Sequence, residues 1–268
     1  MNASKFYQCA VVTGASSGLG EEFAWQLAPR AKRLALVARR GQVLEELASR
    51  IRLQHPELEI EVFAADLMQA GKCERLSGML TLRNWSPDLL VNNAGLGDYG
   101  EFSSSEWPRI EAMLRVNIDA LTHLTHLMLP AMIRNGHGAV VNVSSLASLL
   151  PVPDFAVYAA TKAYVTSFSE ALRLELREHG IRVLAVCPGP VHTGFGSVAQ
   201  RSEGGREMPG RESFYVPKDQ VVAESLVALD RKCARVYPGL KTAAAALVIS
   251  VIPIILLRLA LGFRPRRS

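Results

Sequence analysis

An α/β domain built on a doubly wound, mostly parallel sheet is the fold this sequence predicts. Short apolar runs alternate with amphipathic stretches from near the N-terminus to about residue 240, a glycine-rich turn joins the first run to the first amphipathic stretch, and the length of 268 residues suits one such domain.

In chain order, the apolar runs at 9–13, 33–38, 60–64, 89–91, 139–143, 183–186 and 234–237 read as about seven strands. Helical periodicity occupies 23–27, 42–53, 73–82, 107–132, 156–179 and 224–230. Strands that alternate with helices imply βαβ units, and right-handed crossovers place helices on both faces. Residues 188–217, rich in Gly, Pro, Ser and Arg, lack a clear period and read as a functional loop. The reading is therefore a catalytic domain over 1–240, with a substrate loop at 188–217, and a C-terminal tail over 241–268 that is apolar and helical, then basic.

Composition excludes several classes. Apolar residues make up 49% and charged residues 21%, which suits a packed core and not a disordered chain. Lys and Arg outnumber Asp and Glu by 30 to 25, but Arg258, Arg264, Arg266 and Arg267 crowd the end, and the body is close to neutral. No basic stripe supports nucleic-acid binding. Cys9, Cys73, Cys187 and Cys233 are far apart and form no CxxC pair, so they read as small apolar residues in a reducing compartment. His123 and His126 are three apart on a helix without convergent Cys or carboxylate, so no metal site is expected. Residues 1–8 are polar and carry no secretory signal, which places the domain in the cytosol or facing it.

The turn after the first strand reads Thr13-Gly14-Ala15-Ser16-Ser17-Gly18-Leu19-Gly20. Glycines allow a sharp turn and close approach of backbone to a pyrophosphate, and the helix that follows offers free N–H groups and a partial positive charge. A dinucleotide fits this cradle formed by Gly14, Ser16, Ser17, Gly18, Leu19 and Gly20. The second strand ends Val37-Ala38-Arg39-Arg40, with no acid between Ala35 and Leu44. An acid there holds the ribose hydroxyls of NAD; a guanidinium grips a 2′-phosphate instead. NADP is thus the expected cofactor, with Arg39 as the leading contact and Arg40 assisting or facing solvent.

The fifth strand runs into Ser144-Ser145, and thirteen residues beyond Ser145 comes Tyr158, in Tyr158-Ala159-Ala160-Thr161-Lys162. On a helix, Tyr158 and Lys162 share a face one turn apart. A free phenol titrates near ~10. A neighbouring ammonium is expected to lower that value towards the working pH of a general acid/base. Tyr158 then exchanges the proton of a carbonyl/alcohol pair while Ser145 holds its oxygen.

With these motifs in order, the chain resembles the short-chain dehydrogenase/reductase family from about residue 9 to 237, and the resemblance implies a Rossmann-type domain. It implies that Asp66, with Leu67, contacts the adenine, and that Asn93, Ala94 and Gly95 line the cofactor. Asn117 completes a tetrad with Ser145, Tyr158 and Lys162, holding a water that links the lysine to a proton relay. Pro188, Gly189, Val191 and Thr193 match the loop beside the nicotinamide, where Tyr158 and Lys162 also reach the cofactor. Arg39 matches the NADP-preferring members; Ser17 departs from those that carry a second basic residue there. The resemblance also implies a homo-oligomer joined through helices 107–132 and 156–179.

The expected function is NADP(H)-dependent interconversion of a ketone and a secondary alcohol. The apolar residues near Val152, Phe155, Leu96 and Tyr99, together with the tail, point to a lipophilic small molecule such as a 3-oxoacyl chain, a long-chain ketone or a steroid-like compound. The competing class is a non-catalytic NADP-binding sensor, against which the retained tetrad counts. Residues 243–263 are almost wholly apolar, broken by Ser250, Pro253 and Arg258. They fit a peripheral membrane contact on the cytosolic face, a helix packed on the body or a second subunit, or a short membrane span.

Overall fold

The strands are β1 (Ala10–Thr13), β2 (Arg33–Ala38), β3 (Glu59–Ala64), β4 (Leu89–Asn92), β5 (Gly138–Val143), β6 (Ile181–Val186) and β7 (Arg235–Val236). In the computed structural model, which describes residues 7–201 and 214–252, they form one sheet in the order β3-β2-β1-β4-β5-β6-β7, every neighbouring pair parallel. The helices are α1 (Gly18–Leu27), α2 (Gly41–Gln54), α3 (Lys72–Leu82), α4 (Trp107–Leu114), α5 (Leu121–Asn135), α6 (Ala156–Glu175), α7 (Phe195–Ala199), α8 (Lys218–Asp230) and α9 (Leu240–Val251). The doubly wound architecture read from the sequence is the one observed.

Central strands are buried on both faces, and their two-residue period splits the core in two. Ala10, Val12, Leu34, Leu36, Leu89, Val91 and Val141 point to one side, against Phe23 and Leu27 of α1, Leu44 and Ile51 of α2, and Val222 and Leu226 of α8. Val11, Val37, Leu90, Val140 and Val183 point to the other, against Leu76 of α3, Leu124 and Met132 of α5, and Leu172 of α6. Each Val, Leu, Ile, Phe or Met among them contributes roughly 1.5–3 kcal/mol on burial. Strand order reverses between β1 and β4, which opens a crevice at their carboxyl ends, where ligands of open α/β sheets bind.

Three differences from the sequence reading matter. The amphipathic stretch 107–132 is two helices joined by a π-helical segment, Arg115–Ala120, with Asn117 inside it. The irregular stretch contains α7. Helix α8 starts six residues before the expected Glu224, with Pro217 at its N-cap, where the ring's fixed φ suits helix entry. Of the cysteines, Cys9, Cys73 and Cys187 are buried and Cys233 is partly so; all are free.

Candidate active site

The glycine loop is built against β4. Thr13 closes β1; its Oγ1 donates to the Val91 carbonyl (3.2 Å) and accepts from the amides of Asn93 and Ala94 (3.0 Å each). Asn93 Nδ2 donates back to the Thr13 carbonyl at 3.0 Å. Gly14 has φ +67°, and a Cβ there would meet Asn93 Nδ2 at 2.8 Å; a Cβ on Gly20 would overlap the Gly14 carbonyl. The backbone passes too closely for any side chain at these two positions. Helix α1 begins at Gly18 with no side-chain cap, which leaves its first amides without a side-chain partner, as an anion-binding helix start requires. The loop reaches the second strand as well, where the Ala15 amide donates to the Val37 carbonyl at 3.2 Å.

That last bond sets Arg39 and Arg40 beside the loop. Both are exposed. Arg40 reaches across to Ser16, donating through Nε (3.2 Å) and Nη2 (3.0 Å) to its hydroxyl and through Nη2 to its carbonyl (3.1 Å). Arg40, though exposed, therefore braces the cradle. Asp66, after β3, is half-buried and caps its own turn by accepting the Met68 amide at 3.1 Å, with Leu67 buried next to it. The donor set of bare amides, two guanidiniums and no acid on β2's end fits a phosphorylated dinucleotide.

The four tetrad residues converge at the carboxyl ends of β4 and β5. Asn117 is buried; its Oδ1 accepts the Leu96 amide (2.8 Å) and its Nδ2 donates to the Leu96 carbonyl (2.9 Å) and Thr161 Oγ1 (3.0 Å). The π-segment thus ties the loop after β4 to α6, and such bulges cluster at functional sites. A Cβ on Gly95 would sit 3.4 Å from both Asn117 Oδ1 and Lys162 Nζ, so this glycine keeps open the ground between them. Lys162 is buried and donates to the Val143 carbonyl at 2.8 Å. Ser144 Oγ donates to the Lys162 carbonyl at 2.8 Å and bonds Thr166 Oγ1 at 2.6 Å, clamping α6 onto β5. Ser145 Oγ accepts the Ala147 amide at 3.1 Å and is hydrogen-bonded to the Tyr158 phenol.

The electrostatics depart from the sequence expectation. Burial pushes the Tyr158 phenol up to about 12, with the Ser145 bond opposing the rise. Lys162 does not draw it down: its Nζ lies 5.7 Å from the centre of the ring and is held by Val143. Burial in turn lowers Lys162 to about 8, which the neighbouring Cys187 partly opposes. Desolvation is the largest cause on both groups. Tyr158 is therefore a phenol at neutral pH.

The loop after β6 closes the site. The Pro188 carbonyl accepts the Leu146 amide at 2.8 Å, and Gly189 passes over Thr242 of α9, where a Cβ would meet Thr242 Oγ1 at 2.9 Å. Val191 bridges to Val216, and Thr193 packs against Gly18, 3.2 Å from where a Cβ would stand. The surroundings of the Tyr158 ring are aromatic. Phe155 stacks on Tyr158 with centroids 4.1 Å apart, Phe195 lies 5.5 Å from Tyr158, and Tyr99 meets Phe155 edge-on at 5.7 Å. Sequence reading missed Phe195, which no period marks, and the bracing roles of Thr13, Ser144 and Thr161, which were visible only as motif neighbours. His192 stacks on Tyr215, 4.2 Å between centroids. His123 and His126 line a surface groove of about 360 Å³, and no metal-binding cluster occurs among the described residues.

The family model for short chain dehydrogenases matches residues 8–203. A very-long-chain 3-oxoacyl-CoA reductase-like protein of Arabidopsis thaliana is 30% identical over 96% of this chain and 82% of its own length. The very-long-chain 3-oxoacyl-CoA reductase of Anas platyrhynchos is 33% identical over 72% of this chain, and the match spans 62% of that protein, less than two thirds. Among solved structures, a short-chain dehydrogenase from Sphingobium yanoikuyae in complex with NADPH superposes with a TM-score of 0.80, at 31% identity over 97% of each chain. The glycine cradle, the parallel sheet and the matched length agree, and the chain belongs to the short-chain dehydrogenases.

Proposed function

We propose that the protein is an NADPH-dependent reductase of a carbonyl on a lipophilic substrate, foremost a long-chain 3-oxoacyl thioester. The observation that carries this reading is Tyr158: a buried phenol held protonated, bonded to Ser145, and walled by Phe155 and Phe195. When bound, NADPH supplies the hydride. Gly14, Ser16, Ser17, Gly18, Leu19 and Gly20 would hold its phosphates, Arg39 its 2′-phosphate with Arg40 bracing the loop through Ser16, Asp66 and Leu67 its adenine, and Asn93, Ala94, Gly95, Pro188, Gly189, Val191 and Thr193 the remainder. Ser145 orients the substrate oxygen, Tyr158 gives its proton to that oxygen, and Lys162, steadied by Asn117's segment, supports the exchange. The apolar rings exclude water and favour a hydrocarbon chain over a polar sugar. The names of the Arabidopsis and Anas relatives support the thioester. The purified protein is expected to consume NADPH in the presence of a long-chain 3-oxoacyl thioester, with NADH a poor substitute; absence of turnover on this substrate and on long-chain ketones defeats the reading.

The tail supports contact with a membrane surface. Thr242 and Ala246 of α9 are buried, whereas Leu240, Leu247, Val248 and Val251 are 91%, 66%, 54% and 71% exposed. That exposed apolar face precedes a basic stretch carrying Arg258, Arg264, Arg266 and Arg267, which complements anionic lipid. Residues 253–263 and those arginines lie outside the described residues, and among the described residues no helix is long and apolar enough to cross a membrane. Since α9 packs beside Gly189, a point test is cleaner than truncation. The L247E/V251E double variant is expected to lose sedimentation with phosphatidylserine vesicles while keeping turnover on soluble substrate; undiminished sedimentation sinks the membrane assignment.

A further inference from the structure

We infer that Arg201 pins α7 across the substrate side of Tyr158, so that the Asp98–Arg201 pair positions the wall against which substrate binds. The inference rests on Tyr158 as the reacting site. Helix α7 places Phe195 beside the Tyr158 ring, and Phe195 Cζ comes within 2.9 Å of where a Gly97 Cβ would stand. Its C-terminal end is joined to the loop after β4: the Tyr99 amide donates to the Ala199 carbonyl at 2.9 Å, and Tyr99 bridges to Gln200. The next residue is Arg201.

Arg201 enters a socket. Its Nε and Nη2 grip the two carboxylate oxygens of Asp98 at 3.0 and 2.8 Å, a fork-on-carboxylate pair. Nη1 donates to Ser104 Oγ at 2.8 Å and to the Glu101 carbonyl at 3.3 Å, and Nη2 also bonds Ser105 Oγ. The Asp98 side chain is 2% exposed and that of Arg201 15%. Gly100 has φ +152°, and a Cβ there would lie 2.6 Å from the guanidinium carbon, so the socket needs glycine. Arg109 Nε also reaches Asp98, at 3.0 Å, while Asp154 and Glu106 add negative charge near Arg201. Two guanidiniums thus face three carboxylates, so the cluster carries no surplus positive charge, which argues for a fastening and against an anion site. A buried ion pair adds little net stability over an apolar contact, whereas its bidentate geometry fixes one arrangement. Here that arrangement joins the segment after β6, which carries Phe195 against Tyr158, to the loop after β4.

The test compares wild type with R201M, R201K and G100A. Expected for R201M and G100A is a rise in KM for a long-chain 3-oxoacyl thioester on the order of tenfold, with kcat within about twofold. NADPH affinity is expected to stay unchanged, and R201K, which keeps the charge without the fork, to lie between. Hydrogen exchange gives a readout independent of turnover: the Tyr99 amide and α7 should exchange faster in R201M, with α6 unchanged. Unaltered KM and exchange overturn the inference, as does a parallel loss of kcat and general loosening of the fold. Faster exchange at Tyr99 and α7 in a protein that reduces no carbonyl supports the pin and defeats the proposed reaction instead.

Discussion

Tyr158→Phe is expected to lower kcat by about 10³-fold while leaving NADPH binding within about twofold of wild type. The change deletes one hydroxyl from a residue whose ring packs between Phe155 and Phe195, and Phe keeps those ring contacts. The loss therefore reports the proton and not the fold. Ser145 keeps its bond to the Ala147 amide, and Lys162 keeps Val143, so the rest of the site stays in place. The pH profile sharpens the assignment. With the phenol pushed up to about 12, Tyr158 stays protonated through the neutral range. Lys162, lowered to about 8, is charged below that pH and neutral above it. Reduction by wild type should thus be steady below about pH 8 and fall as pH rises through it, with no second loss until the phenol ionises. Stopped-flow or steady-state NADPH oxidation measures both effects. Unimpaired turnover in Y158F would falsify the acid assignment, and a rate that climbs with pH would reverse the roles of the two groups.

Most of the framework was legible because burial on both faces writes itself into sequence. β2 was delimited to the residue, since the unbroken apolar run Leu34–Ala38 starts directly after Arg33 and stops at Arg39. The convergence of Ser145, Tyr158 and Lys162 was legible for a similar reason: a strand end and one helical turn fix their spacing. What was not legible depended on contacts between distant segments. The π-segment around Asn117 adds a local twist that the 3.6-residue pattern of 107–132 does not reveal, yet it is what lets Asn117 bond Leu96 and Thr161. Helix α7 is too short, and too rich in small residues, to produce a period. The electrostatic expectation for Tyr158 was wrong in sign because spacing showed the ammonium one turn away but not the burial of both groups or the Val143 carbonyl that holds it. Arg40 was assigned a lesser part than Arg39 from strand position alone, and its grip on Ser16 needed the fold.

Arg39→Asp is expected to reverse the cofactor preference. Arg39 lies two residues past Val37, whose carbonyl accepts the Ala15 amide of the glycine loop, so its side chain starts beside the cradle. It is exposed, whereas Arg40 is already committed to Ser16. A guanidinium at this place attracts a 2′-phosphate, while an aspartate repels the phosphate and accepts a hydrogen bond from a ribose hydroxyl. One charged hydrogen bond lost is worth about 1.5–3 kcal/mol, so KM for NADPH should rise roughly 10- to 100-fold, with KM for NADH falling. Arg40→Ala should do less to the phosphate directly, since its fork spans Ser16, and should weaken both cofactors together by loosening the cradle. The two variants thus separate recognition from bracing: only Arg39→Asp should change the NADPH-to-NADH ratio of kcat/KM strongly. A wild-type enzyme that prefers NADH by a wide margin, or an Arg39→Asp variant with the ratio unmoved, removes Arg39 from cofactor selection and leaves Arg40 and the loop amides to account for it.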